Sequence, residues 1–387
     1  MTAESTTAGQ GGGIPLAAMA GIIATVSVFA LAQGLTYPLL SFILERQGTT
    51  PGLIGLSAAM TPLGFIVSAP LVPPLARRLG GARLAILCAL LAALTLAAIA
   101  MLQNVAAWMP LRLLLGVFAN PLYVVSETWL IALTPAARRG RILGLYSSLV
   151  SGGFAVGPLS LGLVGTTGWA PFLVGIVAFL MCGLIVLAVA RRLPPLPREG
   201  EAASLRGIFS RAPLILFAVF TAAAFEQTVM SLLAVYGAAL GSGEARIAAL
   251  LTVFVAGNAV LQVGLGRIAE RYGAARTMLA CTLAALLVCL LLPLAFAGWG
   301  VWPLIFLWGG VSFGIYTMAL IALGERFSGA ALIAGNAAFA LVWGIGGMAG
   351  APVTGLAMQG IGHHGLPAVL GLLCLALALL LLAERRR

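Results

Sequence analysis

The amino-acid sequence predicts an all-α polytopic membrane protein, with twelve transmembrane helices arranged as two pseudo-symmetric six-helix bundles. Hydrophobic residues make up 61% of the 387 residues and charged residues only 8%, a composition that no soluble domain of this length shares. The apolar segments are long and continuous, which excludes the alternating pattern of a membrane β-barrel. In addition, the two halves of the chain carry the same landmarks at a constant spacing.

Cutting the chain at turn residues and charges gives the twelve predicted spans. Residues 1–13 are rich in Gly, Ser and Thr and are expected to be disordered. The apolar run after them exceeds the length of a signal-peptide core, so we expect it to remain as the first span. The spans lie at about 15–43, 51–75, 84–103, 108–133, 142–164, 169–190, 213–239, 245–267, 277–297, 302–324, 330–357 and 366–383.

The loops predict the domain organisation and the orientation in the membrane. The longest loop, 191–212, would link an N-terminal bundle at 14–190 to a C-terminal bundle at 213–383, which is followed by a short tail at 384–387. Alternate loops contain clusters of arginine, whereas the others hold only Arg46 and Arg246. Because cytoplasmic loops are enriched in basic residues, both termini are predicted to be cytoplasmic. The net charge of +11 follows from this bias and does not indicate a nucleic-acid partner.

An internal repeat supports the division into halves. Shifting the sequence by 193 residues superposes the loop segment 78–83 on 271–276. The same shift pairs Gly64 with Gly257, Tyr123 with Tyr316, Gly153 with Gly346, and Gly157 with Gly350. Two fused copies of a six-helix unit are typical of transporters, whose binding site lies between the halves.

Sequence motifs make the chain resemble the major facilitator superfamily over nearly its whole length. The family's loop pattern, Gly-x-x-x-Asp-Arg-x-Gly followed by basic residues, is matched between spans 8 and 9 by Gly266, Glu270, Arg271, Gly273 and Arg276. The copy between spans 2 and 3 keeps Arg78, Gly80 and Arg83, but Pro73 and Arg77 replace the leading glycine and the acid. In the family that acid helps to hold the halves in the outward-facing state.

Two further motifs refine the resemblance. Span 4 carries Arg-x-x-x-Gly at Arg112 and Gly116, an arginine that the family's proton-coupled members tie to proton transfer. Span 5 resembles the glycine motif of drug:proton antiporters, with Gly144, Gly153, Gly157 and Pro158. The segment 127–141 resembles a bacterial branch of the superfamily. The resemblance implies a monomeric inner-membrane transporter that works by alternating access, with protons as the coupling ion and lipid as its surroundings.

Charged residues inside the spans are the strongest candidates for function, because a charge in a span is costly unless it faces protein or a watery cavity. Span 4 contains Arg112 and Glu127, which are separated by about 22 Å of helical rise but share one broad face with Asn120. Glu226 lies in the middle of span 7, where low dielectric favours the neutral, protonated acid. We therefore predict Glu226 as a proton carrier.

Each charged residue also has a structural interpretation. Arg112 could belong to a buried ion pair, and Glu226 could be a carboxyl group bonded to a neighbouring helix. For Glu127 we favour a salt bridge to the Arg138–Arg141 cluster or a contact at a gate. Trp129 is expected at the membrane interface, and the polar pair Asn258 and Gln262 is expected to bond to a neighbouring helix.

In the superfamily that the motifs resemble, spans 1, 4, 7 and 10 line the central cavity. The predicted substrate and proton pathway is accordingly Gln33, Tyr37, Arg112, Asn120, Tyr123, Glu226, Gln227 and Tyr316. The predicted gating residues are Glu127, the three span 5 residues Gly153, Gly157 and Pro158, and the loop residues Arg78, Gly80, Arg83, Gly266, Glu270, Arg271 and Gly273.

Neither a metal nor a cofactor is expected. His363 and His364 stand together in one loop, with no Cys, Asp or further His beside them. The chain has no Lys, which excludes a nucleotide-binding loop of the Gly-x-x-x-x-Gly-Lys type. The sequence therefore predicts a non-enzymatic secondary transporter, a proton-coupled exporter of a small organic molecule. The alternatives are an importer or facilitator of a sugar or organic acid, and a non-transporting receptor on the same fold.

Overall fold

The computed structural model describes residues 16–134, 139–194, 205–327 and 329–385. Within these ranges the chain forms fourteen α-helices and no β-strand. The helices are α1 (Leu16–Arg46), α2 (Pro51–Ser68), α3 (Val72–Leu79), α4 (Gly81–Met101), α5 (Val105–Leu133), α6 (Arg139–Val164), α7 (Ala170–Val189), α8 (Leu205–Arg211), α9 (Pro213–Ala239), α10 (Glu244–Tyr272), α11 (Ala274–Ala295), α12 (Val301–Arg326), α13 (Gly329–Ile361) and α14 (Gly365–Arg385).

The predicted helical membrane fold is confirmed. Eleven segments of the described residues are long and apolar enough to cross a membrane, and the apolar part of α6, Ser148–Val164, is a shorter helix at the fifth predicted span. The second span is longer than predicted, because α2 and α3 continue through a 3-10 turn at Ala69–Leu71. The prolines Pro73 and Pro74 lack the amide protons that α-helical bonding across this turn requires.

The described part of the predicted 191–212 loop is not all irregular. It contains α8 and part of a 3-10 turn at Ala190–Arg192. The low hydropathy of this segment excludes a membrane span. Hydropathy alone does not predict a short helix such as α8. The side of the bundle on which α8 lies carries the first residue of α1, Leu16, and the last residue of α14, Arg385.

The connections between helices lie at two opposite ends of the molecule. At the end away from Leu16 and Arg385, side chains join neighbouring elements: Gln47 donates to the Gln103 carbonyl, Arg246 donates to the Phe296 carbonyl, and His363 packs on Tyr236. We call this the Arg46 end, after the last residue of α1, and call the opposite one the terminal end.

Glycine contacts show the repeat in three dimensions. In each half two helices cross so closely that a methyl group on either of two glycines would overlap a backbone carbonyl oxygen of the partner helix. The contacts are Gly64 on Leu113 and Gly116 on Thr61 where α2 crosses α5, and Gly257 on Phe306 and Gly309 on Phe254 where α10 crosses α12. Every residue is related to its counterpart by the 193-residue shift, so the two bundles share one internal geometry.

Within the described ranges, the most extensive contacts between the halves are made by four helix pairs. The helix α2 packs against α13, α6 packs against α10, and α9 packs against both α1 and α2. At the Arg46 end the contact is very close, since a methyl group on Gly55 would overlap the Ala351 carbonyl and one on Gly355 would overlap the Pro51 carbonyl. The helix α1 is buried without interruption from Ala32 to Leu44. The Arg46 end is therefore the tightly packed end of the bundle.

Candidate functional site

Arg112 of α5 is fully enclosed in the bundle. The side chain is 0% exposed, and its Nη1 donates a hydrogen bond of 3.2 Å to Ser57 Oγ of α2. Its Nε and Nη2 have no hydrogen-bond partner among the described residues. Gly116, one turn further along α5, draws the two helices together and so places Arg112 against α2. A buried cation whose Nε and Nη2 have no acceptor is energetically costly, and both nitrogens remain available to hydrogen-bond an added acceptor.

Tyr37 of α1 is near both Arg112 and Glu226. The tyrosine is 9% exposed and is close enough to both residues to interact electrostatically with each. Glu226 stands midway along α9 and is partly exposed, although its neighbours Phe225 and Thr228 are each 0% exposed. A cation of the N-terminal half and a carboxyl group of the C-terminal half are therefore both within electrostatic reach of one phenol.

One amide side chain near this group also crosses between the halves. Gln227 Nε2 of α9 donates to the Ala58 carbonyl of α2 at 3.4 Å and to Ser231 Oγ at 3.2 Å. Gln33, the counterpart of Glu226 in the repeat, is 4% exposed on α1. Among the predicted pathway residues, Gln33 and Tyr37 thus lie one turn apart on α1, and Gln227 ties α9 to α2 next to Ser57, the acceptor of Arg112.

A second group lies nearer the terminal end. Tyr123 and Glu127 of α5 are partly exposed, and Tyr123 interacts electrostatically with Glu127, Tyr146 of α6 and Tyr316 of α12. Tyr316 in turn packs edge to face on Trp343 of α13, with ring centroids 4.8 Å apart. We call Tyr123, Glu127, Tyr146, Tyr316, Phe339 and Trp343 the aromatic cluster.

Three polar predictions have different outcomes. Asn120 does not face the central helices: it is 8% exposed, and its Nδ2 donates to the Phe65 carbonyl and Ser68 Oγ of α2. Trp129 is not at the membrane interface, because it is 2% exposed and donates to the Pro194 carbonyl. Gln262 bonds to a neighbouring helix as predicted, through the Gly310 carbonyl and the Thr317 hydroxyl of α12.

Three of the predicted gating residues lie on α6, where this helix packs against α1. Gly153 and Gly157 of α6 pack directly on the backbone of α1, at Ser27 and at Gly34–Leu35 respectively, and Pro158 continues the same helix. The side chains of the Arg138–Arg141 cluster, to which Glu127 was predicted to pair, lie outside the described part of the chain.

The two loop motifs share one backbone geometry. Gly80 has φ 82° and ψ 143°, and Gly273 has φ 87° and ψ 149°, a region that side chains with a Cβ avoid. Both glycines end one helix and precede the next. Arg78, Arg83 and Glu270 are exposed nearby, and Gly266 has open space around it, while the Arg271 guanidinium lies 5.3 Å from the centre of the Tyr272 ring.

A charged cluster that sequence reasoning missed joins the halves at the Arg46 end. Arg46 Nη1 donates to Glu244 Oε1 of α10 at 2.7 Å and to Thr166 Oγ1 at 2.7 Å. Arg46 Nη2 donates to the Thr166 carbonyl at 2.7 Å, and the Thr166 hydroxyl also donates to Glu244. The ion pair spans nearly two hundred residues of sequence, so no local pattern could have revealed it.

The geometry defines a class of protein, namely two repeated helical bundles that enclose polar side chains between them. Comparison with known families identifies this class, because the Major Facilitator Superfamily model matches residues 22–243 and 215–387. The chain belongs to the Major Facilitator Superfamily, and it is a multi-pass membrane transporter.

Individual relatives match this chain along most of their length. The chain is 26% identical to the MFS-type transporter YfkF of Bacillus subtilis over 350 residues, which cover 87% of this chain and 88% of the relative. The solved structure of the nucleoside transporter NupG is similar with a TM-score of 0.77 at 14% identity, over 96% of this chain and 100% of that one. A bacterial homologue of the human lysosomal transporter Spinster, in an inward-facing and unoccupied conformation, has a TM-score of 0.68 at 14% identity, over 96% of each chain.

Proposed function

We propose that this protein is a secondary transporter that exports a small organic solute across the bacterial inner membrane in exchange for protons. It acts as a monomer, with both termini in the cytoplasm. The observation that carries the proposal is the arrangement of Arg112, Tyr37 and Glu226 across the two halves. The span 5 glycine motif, which resembles that of drug:proton antiporters, supports the outward direction.

The proposed cycle uses one proton and two states. With the termini in the cytoplasm, the packed Arg46 end faces outward and the structure is inward-facing. Glu226 releases its proton to the cytoplasm as the solute binds, and the carboxylate is then attracted to Arg112 past Tyr37. Because these charges belong to different halves, their attraction favours a rearrangement of the halves. On the outer side Glu226 takes up a proton, Arg112 loses its partner, and the solute leaves.

Transport in proteoliposomes tests the role of Glu226. Solutes are first selected by thermal shift of the purified protein at two pH values, from a panel that includes nucleosides. We expect Glu226→Gln to lose uphill transport driven by a proton gradient, since the amide cannot exchange a proton, but to retain downhill counterflow. Glu325→Gln removes an exposed carboxyl group at the end of α12 and should behave as wild type. Full proton-driven uphill transport by Glu226→Gln would disprove the assignment.

A second candidate is an importer or facilitator of an organic acid. The unpaired Nε and Nη2 of Arg112 favour it, because a guanidinium binds a carboxylate through two parallel hydrogen bonds. This reading predicts exchange that does not depend on pH and that is lost in Arg112→Met. The third possibility, a receptor without transport activity, predicts a thermal shift with a bound solute but no flux of that solute in proteoliposomes.

A further inference from the structure

Pro62 interrupts the backbone bonding of α2 at the interface between the halves. In an α-helix the carbonyl of residue 58 accepts a hydrogen bond from the amide of residue 62. Pro62 stands inside α2 and has no amide proton, so the Ala58 carbonyl cannot receive this bond. Ala58 is 0% exposed, and a buried carbonyl that lacks its helical donor is costly unless another group donates to it.

Gln227 of the other half supplies a donor. Its Nε2 lies 3.4 Å from the Ala58 carbonyl oxygen and 3.2 Å from Ser231 Oγ of its own helix. Gln227 is 8% exposed and Ser231 is 0% exposed, so little water competes for these bonds. Gly347 of α13 lies beside the contact, since a methyl group there would be 3.6 Å from Pro62 Cβ and 3.9 Å from Gln227 Cβ. The bond therefore joins α9 to α2 at a buried point.

Neither side of this bond recurs in the repeat. The 193-residue shift pairs Pro62 with Val255 and Gln227 with Gly34. The helix α10, which is the counterpart of α2, contains no proline. The glycine crossings that hold each bundle together do recur, so the packing within a bundle does not require this bond. It belongs instead to the contact between the halves.

The bond is adjacent to both charged residues of the proposed coupling. In α2, Ala58 directly follows Ser57, which accepts a hydrogen bond of 3.2 Å from Arg112. In α9, Gln227 directly follows Glu226. A movement of α9 that withdraws Gln227 from α2 therefore also changes the position of Glu226 relative to the acceptor of Arg112.

The same bond lies close to the packed Arg46 end. Gly55, three residues before Ala58 in α2, packs on the Ala351 carbonyl of α13. Opening of this end must separate the halves here, and Gln227 would then withdraw from Ala58. The Ala58 carbonyl would have no donor at residue 62 of its own helix and would depend on water, so the bond favours the closed state.

We propose that Gln227 is a positioning residue of the transport cycle: by donating to the carbonyl that Pro62 leaves free, it holds α2 against α9 while the Arg46 end is closed. With α2 it also holds Ser57, the hydrogen-bond acceptor of Arg112. This inference rests on the proposed function, because it assumes that the halves separate at this end during transport.

Two substitutions test the bond from its opposite sides. Gln227→Met keeps the length of the side chain but removes the donor. Pro62→Ala provides an amide proton to the Ala58 carbonyl in both states, so that the carbonyl no longer depends on Gln227. We expect either variant to lower the ratio of closed to open molecules by between about twofold and tenfold. Distances between spin labels at the exposed residues Gln103 and Trp299 measure this ratio in the purified full-length chain, without solute or ion gradient.

Thermal stability separates positioning from ordinary packing. Removing a proline from inside a helix restores a backbone bond and relieves the clash of the ring. Pro62→Ala should therefore melt at the same or a higher temperature although its closed population falls, whereas a contact that only stabilised the fold would change both quantities in the same direction. Pro293→Ala makes the same change inside α11, whose main contacts are with helices of its own half. This matched control should leave the distances unchanged.

The double variant shows whether the two residues act on one bond. In the Pro62→Ala background, Gln227→Met should have a smaller effect than in the wild-type background. Wild-type distances in either single variant, or two effects that multiply fully in the double variant, would overturn the inference. If Gln227→Met does not fold, Pro62→Ala and its control decide alone.

The two proposals fail independently. Wild-type distances in Pro62→Ala, together with loss of proton-driven uphill transport in Glu226→Gln, would refute only the role of Gln227. Full proton-driven transport by Glu226→Gln, together with the expected change in distances, would refute proton coupling through Glu226 and leave the role of Gln227 intact.

Discussion

Arg112 raises the question of whether a buried charge stabilises the protein or serves its transport cycle. Its guanidinium is buried away from water and, among the described residues, donates a hydrogen bond to one acceptor, Ser57 Oγ. Such a group destabilises the fold, because the loss of hydration is not compensated. A sequence can retain it only if another state of the molecule, or a bound solute, supplies the missing acceptors.

This interpretation predicts opposite effects for two substitutions at one contact. Arg112→Met replaces the cation by an apolar side chain of similar length, so we expect an unchanged or higher melting temperature together with loss of coupled transport. Ser57→Ala removes the acceptor and leaves the guanidinium without any partner, which should lower the free energy of unfolding by about 1–3 kcal/mol. Thermal unfolding and proteoliposome transport measure both effects. A strongly destabilised Arg112→Met protein would favour a structural ion pair instead.

How much of the site could be predicted depends on whether a residue is unusual for its surroundings. Arg112 and Glu226 could be found from sequence because charges are rare in apolar spans. Tyr146 and Trp343 could not, since aromatic residues in spans are most often packing residues, and only the folded chain brings them beside Tyr123 and Tyr316. Trp129 was misplaced for the related reason that composition does not distinguish a buried tryptophan from an interfacial one.

At the scale of helices, hydropathy was sufficient to place the spans, because a bilayer requires a minimum apolar length. It was insufficient for α8 and for the 3-10 turn between α2 and α3, since both depend on local backbone bonding. The repeat was informative in another way. It paired Gly64 with Gly257, and the structure places both at equivalent helix crossings. Conservation of position between the two halves thus reflects backbone contact.

The equivalent crossings predict equivalent sensitivity to added volume. Gly64→Ala and Gly257→Ala each place a methyl group against a backbone carbonyl oxygen, at Leu113 and Phe306 respectively. Because backbone cannot move aside as a flexible side chain can, we expect each variant to lose about 1–3 kcal/mol of stability. Gly264→Ala is the matched control, since open space surrounds that residue in α10. Thermal unfolding of the three purified variants gives the comparison, and equal stability of Gly64→Ala and Gly264→Ala would contradict the close crossing.

For the whole molecule, the packed Arg46 end raises the question of what holds it closed. Much of the contact is apolar and close, but Arg46, Thr166 and Glu244 add a polar network across the halves. The side chains of the ion pair are 34% and 32% exposed, so water and salt weaken the attraction. Exposed pairs of this kind contribute about 0–1 kcal/mol, which suits a contact that must break in every cycle.

Removing this network should shift the equilibrium between the two states. Glu244→Gln abolishes the ion pair, and a loss approaching 1 kcal/mol changes a two-state ratio by about fivefold. We therefore expect a larger population open at the Arg46 end, measured as longer distances between spin labels at the exposed residues Gln103 and Trp299 in the two halves. The effect should diminish in high salt, where wild type itself loses the attraction. The exchanged pair Arg46→Glu with Glu244→Arg should restore part of the closed population, because it reverses both charges and retains their attraction. If Glu244→Gln leaves the distance distribution unchanged at low salt, the apolar contacts of α2 with α13 hold this end closed without help from the charges.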